Sequence, residues 1–164
     1  MAALKVLIAR LRRSESGAEF VEFALAFPLL LFVVMGILDF GLMFQQYEVI
    51  MNAAREGARV AMLPNYNITA CPTCGTDRAT QYVNAALISG SANGAPSAVE
   101  AAQNITFNVG GTPTTVCGVN VQVGYTHEYL FLSGIGSYFG STFGTKRLTA
   151  SATMRLEGAV GPCS

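Results

Sequence analysis

Between Phe23 and Phe44 the chain reads FALAFPLLLFVVMGILDFGLMF, and no other stretch restricts its fold so strongly. A helix needs about 20 consecutive apolar residues to cross the hydrocarbon of a bilayer. A lone segment in that medium is helical, because each backbone N–H and C=O must be satisfied within it. Lys5, Arg10, Arg12 and Arg13 precede the run. Basic flanks stay in the cytoplasm, so everything from about Gln45 onward is expected on the far side. A secretory h-region is shorter, roughly 7–15 residues, and ends at a small-x-small cleavage site. No A-x-A follows here, so the run reads as a single span. Glu22 stands where the lipid begins, five residues after Gly17. A carboxylate at the edge of hydrocarbon is costly and marks a functional position.

The 164 residues permit one domain beside the span. Ten basic and ten acidic residues cancel, which removes the electrostatic footprint of a nucleic-acid binder. Three segments are expected: a basic leader at 1–17, a long helix at 18–63 with its span at about 23–44, and a small domain at 64–164. Beyond the span the helix continues in water as QQYEVIMNAAREGARVAML, stopped by Pro64 and an Asn-rich segment. Ala53, Gly57 and Ala61 recur every four residues there, a spacing that lets another backbone approach closely. That backbone belongs either to a partner helix or to the chain's own domain. Within the span, Pro28 is a point of kinking or local melting, tolerated better in lipid than in water. Asp39 reads as a solvated residue at the helix edge.

The predicted fold is α+β. A second helix is expected over Asp77–Ile88, capped by Thr76, with Tyr82, Ala86, Val83 and Leu87 on its apolar face. SGSANGAPS reads as a linker. Strands follow at Asn104–Val109, Val116–Tyr129 and Lys146–Glu157, where alternation is clearest in Val119, Val121, Val123 and Tyr125. They make a three-stranded antiparallel sheet. The tract between the last two strands, with Ile135, Tyr138, Phe139 and Phe143 among glycines, is a loop that caps the sheet or offers a contact surface.

SGAEFVEFALAFPLLLFVVMGILDFGLMF, NAAREGARVA and LTASATMRLE together resemble the TadE/TadG-like proteins of bacterial tight-adherence (Flp-type) pili. The resemblance covers the amino-terminal third and the last strand. It implies a minor pilin-like subunit, a pseudopilin, needed to assemble the pilus. It also implies maturation by a prepilin peptidase between Gly17 and Ala18, since Gly17-Ala18-Glu19-Phe20-Val21-Glu22-Phe23 matches the processing motif. Other pilin-like subunits, contacted through the amino-terminal helix, and an ATP-driven assembly platform are the implied partners, beside the lipid bilayer. The implied location is the bacterial inner membrane, single-pass, with a cytoplasmic N-terminus and a periplasmic domain; the pilus at the cell surface is a second. Cleavage would create an ammonium on Ala18, one turn from Glu22. In lipid the two favour pairing, because each alone bears a heavy desolvation cost. The competing function is a permanently anchored envelope accessory that never enters a filament.

Cys71, Cys74, Cys117 and Cys163 all lie beyond the span, where an even count reads as disulfides. If the strands around Val121 and Ala152 pair antiparallel, Cys117 meets the chain end. Cys117–Cys163 is then favoured, with Cys71–Cys74 as a local clip and crossed pairings as alternatives. Cys71-Pro-Thr-Cys74 also has the spacing of thiol oxidoreductases, the third functional class. A redox motif needs a helix N-terminus and a βαβ context, and a membrane helix and an Asn-rich loop stand there instead. Zinc needs further paired ligands, with only Cys117, Cys163 and His127 at hand. His127 reads as a surface or packing residue, and Ser133, Ser137 and Ser141 have no base beside them. Asn67-Ile-Thr69 and Asn104-Ile-Thr106 fit the glycosylation triplet by chance. No catalytic residue, cofactor or metal site is assigned.

Overall fold

A computed structural model describes residues 15–63, 71–87, 95–134, 140, 144–157 and 161–163. Residues 1–14 with the leader's arginines, the Asn67 triplet, residues 88–94 with most of the expected linker, and Ile135, Tyr138, Phe139 and Phe143 lie outside the described residues, while the last residues of the expected leader, 15–17, are already helical. The elements are α1 (Glu15–Ala61), α2 (Cys74–Ala86), β1 (Ser97–Val109), β2 (Thr112–Glu128) and β3 (Thr145–Arg155). The fold is α+β, with one long helix, one short helix and an antiparallel sheet in the order β1-β2-β3. The chain forms two compact units, residues 1–40 and 41–164.

The first unit is the apolar half of α1. Helix continues unbroken through Pro28. Phe20, Leu25, Leu29, Leu30 and Ile37 are all at least 60% exposed, an exposure that water penalises and lipid does not. Among the described residues this is the one helix long and apolar enough to cross a membrane. Phe23 and Phe27, one turn apart, stack with ring centroids 5.4 Å apart. Asp39 departs from expectation. It is fully buried rather than solvated, as the cost of a carboxylate on a lipid-facing surface would favour.

The second unit begins with the outer half of α1. Ile50, Ala53, Ala54, Ala58 and Ala61 are fully buried, at spacings that place them on one stripe of the helix. Against them stand Val119, Val121 and Val123 of the central strand and Ala79 and Val83 of α2. Small residues on the helix and β-branched residues on the strand let the two layers close tightly. Val109 pairs with Thr112, so the β1–β2 turn consists of Gly110 and Gly111, at φ 58° and 89°. Both need the left-handed region that a two-residue hairpin demands. Val121 opposes Glu100 on one side and Ala152 on the other.

Several boundaries differ from those read in the sequence, among them the start of β2 at Thr112 rather than Val116; the largest shifts are in β1 and α2. β1 begins at Ser97, seven residues before the expected Asn104, because Ser97–Gln103 pairs in register with Gly118–Gly124. SAVEAAQ has little strand propensity of its own; its neighbour imposes the conformation. Helix α2 begins at Cys74 and ends at Ala86, and Thr76 does not cap it. Thr76 Oγ1 instead donates to the Thr73 carbonyl at 2.8 Å. The buried face of α2 is Gly75, Ala79 and Val83, while Tyr82 is 36% exposed.

Candidate functional site

Gly17, Ala18, Glu22 and Phe23 occupy the first turns of α1. Glu22 and Phe23 are exposed and Gly17 is half-buried. Positions 18 and 22 are four apart, hence neighbours on one helix face. A charge at the backbone nitrogen of residue 18 would therefore lie one turn from the Glu22 carboxylate.

Forty residues further along, α1, α2 and the sheet close on one another around two glycines. A Cβ added to Gly57 would stand 2.6 Å from the Gly75 carbonyl oxygen, 3.0 Å from Ala79 Cβ and 3.1 Å from Val121. The backbone that approaches the Ala53–Gly57–Ala61 stripe is thus the start of α2. Gly75 is as tightly enclosed, with Glu100 Oε2 2.6 Å and Ala61 Cβ 2.9 Å from the position of a Cβ. Close approach leaves no room for a side chain at either position.

Charged groups fasten this junction. Arg59 donates through Nε and one terminal nitrogen to both Glu56 oxygens, at 2.9 Å each. Arg78 of α2 donates to the same carboxylate at 3.1 Å. The Arg59 hydrogen bonds, with Arg78 adding to them, pull the Glu56 carboxyl from its ordinary 4.5 down to about 2, against the opposing effect of burial. Glu100 reaches from β1 to the first turn of α2, where Oε2 accepts the Gly75 N–H at 3.1 Å. Burial raises its pKa, an effect that Asp77 reinforces and the Gly75 and Thr76 amides oppose. Its other oxygen, Oε1, is buried without a hydrogen-bond partner.

The cysteines pair as Cys71–Cys74 and Cys117–Cys163. The first pair spans the turn that leads into α2, where the Cys74 N–H donates to the Cys71 carbonyl at 3.3 Å. The second fixes the chain end beside β2, helped by Cys117 N–H donating to Gly161 at 2.8 Å and Cys163 N–H to Asn104 Oδ1 at 2.7 Å. His127 is buried, 1% exposed. Its Nδ1–H donates to Gln46 Oε1 at 2.7 Å, and its ring meets Tyr129 edge-on at 4.9 Å. It joins β2 to α1 as a packing residue. Among the described residues no three His, Cys, Asp or Glu side chains gather as a metal site.

Sequence reasoning named the glycine, alanine and cysteine positions but missed Glu100. Its partner is 25 residues away, and no local pattern joins them. The one available signal was a lone carboxylate at an inward-facing position of an otherwise alanine-rich strand.

A single apolar helix continuous with an α+β unit defines a membrane-anchored protein. Residues 17–59 match the family model described as TadE-like protein, and over that segment the chain carries the family's sequence. The likeness at LTASATMRLE lies outside the matched segment. No curated protein and no solved structure matches the chain.

Proposed function

We propose that this chain is a minor pilin-like subunit, a pseudopilin, in the assembly of a tight-adherence pilus. One observation carries the reading: the glycine-to-glutamate spacing, the apolar span and the TadE-like match coincide in residues 17–59. A prepilin peptidase cuts between Gly17 and Ala18 at the cytoplasmic face of the inner membrane. The new ammonium on Ala18 pairs with Glu22 of a neighbouring pilin-like subunit and sets its axial register. The assembly platform then draws the helix from lipid into a stack of helices. The unit from Gly41 onward stands in the periplasm and, when the subunit is in a pilus, at the cell surface. Lipid and other subunits cover the same apolar side chains in turn, so the helix stays out of water throughout. The work is mechanical, with no catalytic residue.

Complementation of a deletion strain with Glu22→Ala or Glu22→Gln tests this, with pili counted by electron microscopy. Loss of piliation with normal membrane levels of the variant is expected; wild-type piliation would refute the assembly role. One observation favours the alternative of a permanently anchored accessory. Ala53, Gly57 and Ala61 are already covered by the chain's own α2 and β2, so that stripe is not free for a neighbouring helix. An accessory retains Met1 and tolerates Glu22→Gln.

A further inference from the structure

Within the second unit, β2 runs down the outer half of α1 toward the end of the apolar run, and three contacts mark its descent. Val121 Cγ1 stands 3.1 Å from where a Cβ on Gly57 would be. Further along the strand, His127 Nδ1 meets Gln46 Oε1 at 2.7 Å. Just past its end, Tyr129 Oη–H donates to Met43 Sδ at 3.8 Å. Met43 and Phe44 close the apolar run. The headgroup layer adds about 5–7 Å to each side of the hydrocarbon, or about 3–5 residues of helix. Gln46 and Tyr47 therefore stand at headgroup depth, and β2 reaches that depth with them.

The strand ends at Glu128, and the chain bends at Leu130 and Phe131. Both side chains are exposed, Leu130 by 66% and Phe131 by 38%. Phe44 and Tyr47 are exposed on α1 at the same level. Single exposed apolar residues are ordinary, but several gathered at one level mark a contact surface. Aromatic residues collect at the edges of a bilayer, where a ring with a polar tip suits headgroup depth. Tyr47 and Tyr129 fit that place.

We infer that the second unit makes its own contact with the bilayer surface, inserting Leu130 and Phe131 among the headgroups and the first acyl carbons. The inference rests on α1 spanning lipid, and it is independent of whether the chain enters a pilus. Lipid is the occupant because the surface continues the span: Tyr129 touches a residue of the apolar run, and the bend follows directly. Insertion is shallow. Glu48 follows Tyr47 and Glu128 precedes the bend, so both carboxylates stay at headgroup depth, outside the hydrocarbon that penalises charge. Only the bend goes deeper, as in other interfacial segments. Lys146, opposite His127 in the sheet, is exposed, and its long stem lets the ammonium reach lipid phosphates.

The chain has no tryptophan, so a single introduced one reports on its own surroundings. Full-length Leu130→Trp and Phe131→Trp are reconstituted into vesicles of phosphatidylcholine and phosphatidylglycerol, with circular dichroism as the check on folding. Lipid brominated on its acyl chains quenches from within the bilayer, and acrylamide quenches from water. Phe107→Trp is the matched control: Phe107 is 40% exposed but sits near the β1–β2 turn, opposite Thr114 and remote from Glu128. Phe32→Trp reports on the span. Blue-shifted emission, lost mostly to the brominated lipid and protected from acrylamide relative to Phe107→Trp, is expected at both positions of the bend and required at one. Emission at both that behaves like Phe107→Trp, with Phe32→Trp quenched by the brominated lipid, would overturn the inference and leave the span intact. Protection from acrylamide without quenching by lipid would also overturn it, since a second copy would then cover the bend. If Phe32→Trp itself escapes the brominated lipid, the span fails and this contact with it.

Discussion

Gly57 shows how far a single position can be read. Its spacing from Ala53 and Ala61 announces a close backbone approach, but the sequence does not say whose backbone approaches. The structure answers with the Gly75 carbonyl, 2.6 Å from where a Cβ would sit. Gly57→Ala should therefore destabilise the protein despite the gain in helix propensity. Alanine improves a helix by about 1 kcal/mol, whereas forcing atoms into a packed seam costs about 1–3 kcal/mol, and a backbone carbonyl yields least. Urea unfolding of the detergent-solubilised protein should show a lowered midpoint; a raised one would contradict the packing. The two junction carboxylates have opposite pH signatures. Glu56 is held at about 2 by Arg59 and Arg78, so its contribution is full above 4.5 and is lost as pH falls from 4.5 toward about 2. Glu100 is raised by burial, so its ionisation opposes folding, and stability declines as pH rises from 4.5 through its elevated value. Thermal melts against pH should lose the acid-side slope in Glu56→Gln and the slope above 4.5 in Glu100→Gln. The Glu56 effect should be small and salt-sensitive, since Arg59 and Arg78 are 57% and 48% exposed.

At the level of elements, legibility followed how local the cause was. β2 announces itself through its valines, and α1 through an apolar run followed by a small-residue stripe; both patterns lie within the element. β1 does not announce itself, because Ser97–Gln103 is extended only by pairing with Gly118–Gly124. The start of α2 was misplaced for the same reason. Thr76 and Asp77 resemble a cap, but the turn is set by the Cys71–Cys74 bond and by a carboxylate from another strand. The two disulfides should differ in weight. Cys117–Cys163 joins residues 46 apart and Cys71–Cys74 residues 3 apart. Loop-closure entropy assigns about 4 kcal/mol to the first and about 2 kcal/mol to the second. Paired serine substitutions at 117 and 163 should therefore lower the urea midpoint clearly more than those at 71 and 74; the reverse order would contradict these assignments.

For the whole molecule, the decisive property is a helix with two environments. From Phe23 to Leu38 its side chains are apolar and mostly exposed, and from Ile50 to Ala61 one stripe is sealed under a sheet. The first half demands lipid or other helices, while the second belongs to a compact unit in water. This division was plain in the sequence, since the length of an apolar run is a one-dimensional property. The packing of the outer half was not, because its partners come from residues 75 to 150. The proposed role requires that the basic leader be removed, since an ammonium able to pair with Glu22 would exist only after a cut at Gly17. Intact-mass and amino-terminal peptide analysis of the protein purified from its native membrane measures this directly. A mature chain beginning at Ala18, and its loss in Gly17→Ala, are expected; a chain that still begins at Met1 in piliated cells would contradict the proposed role.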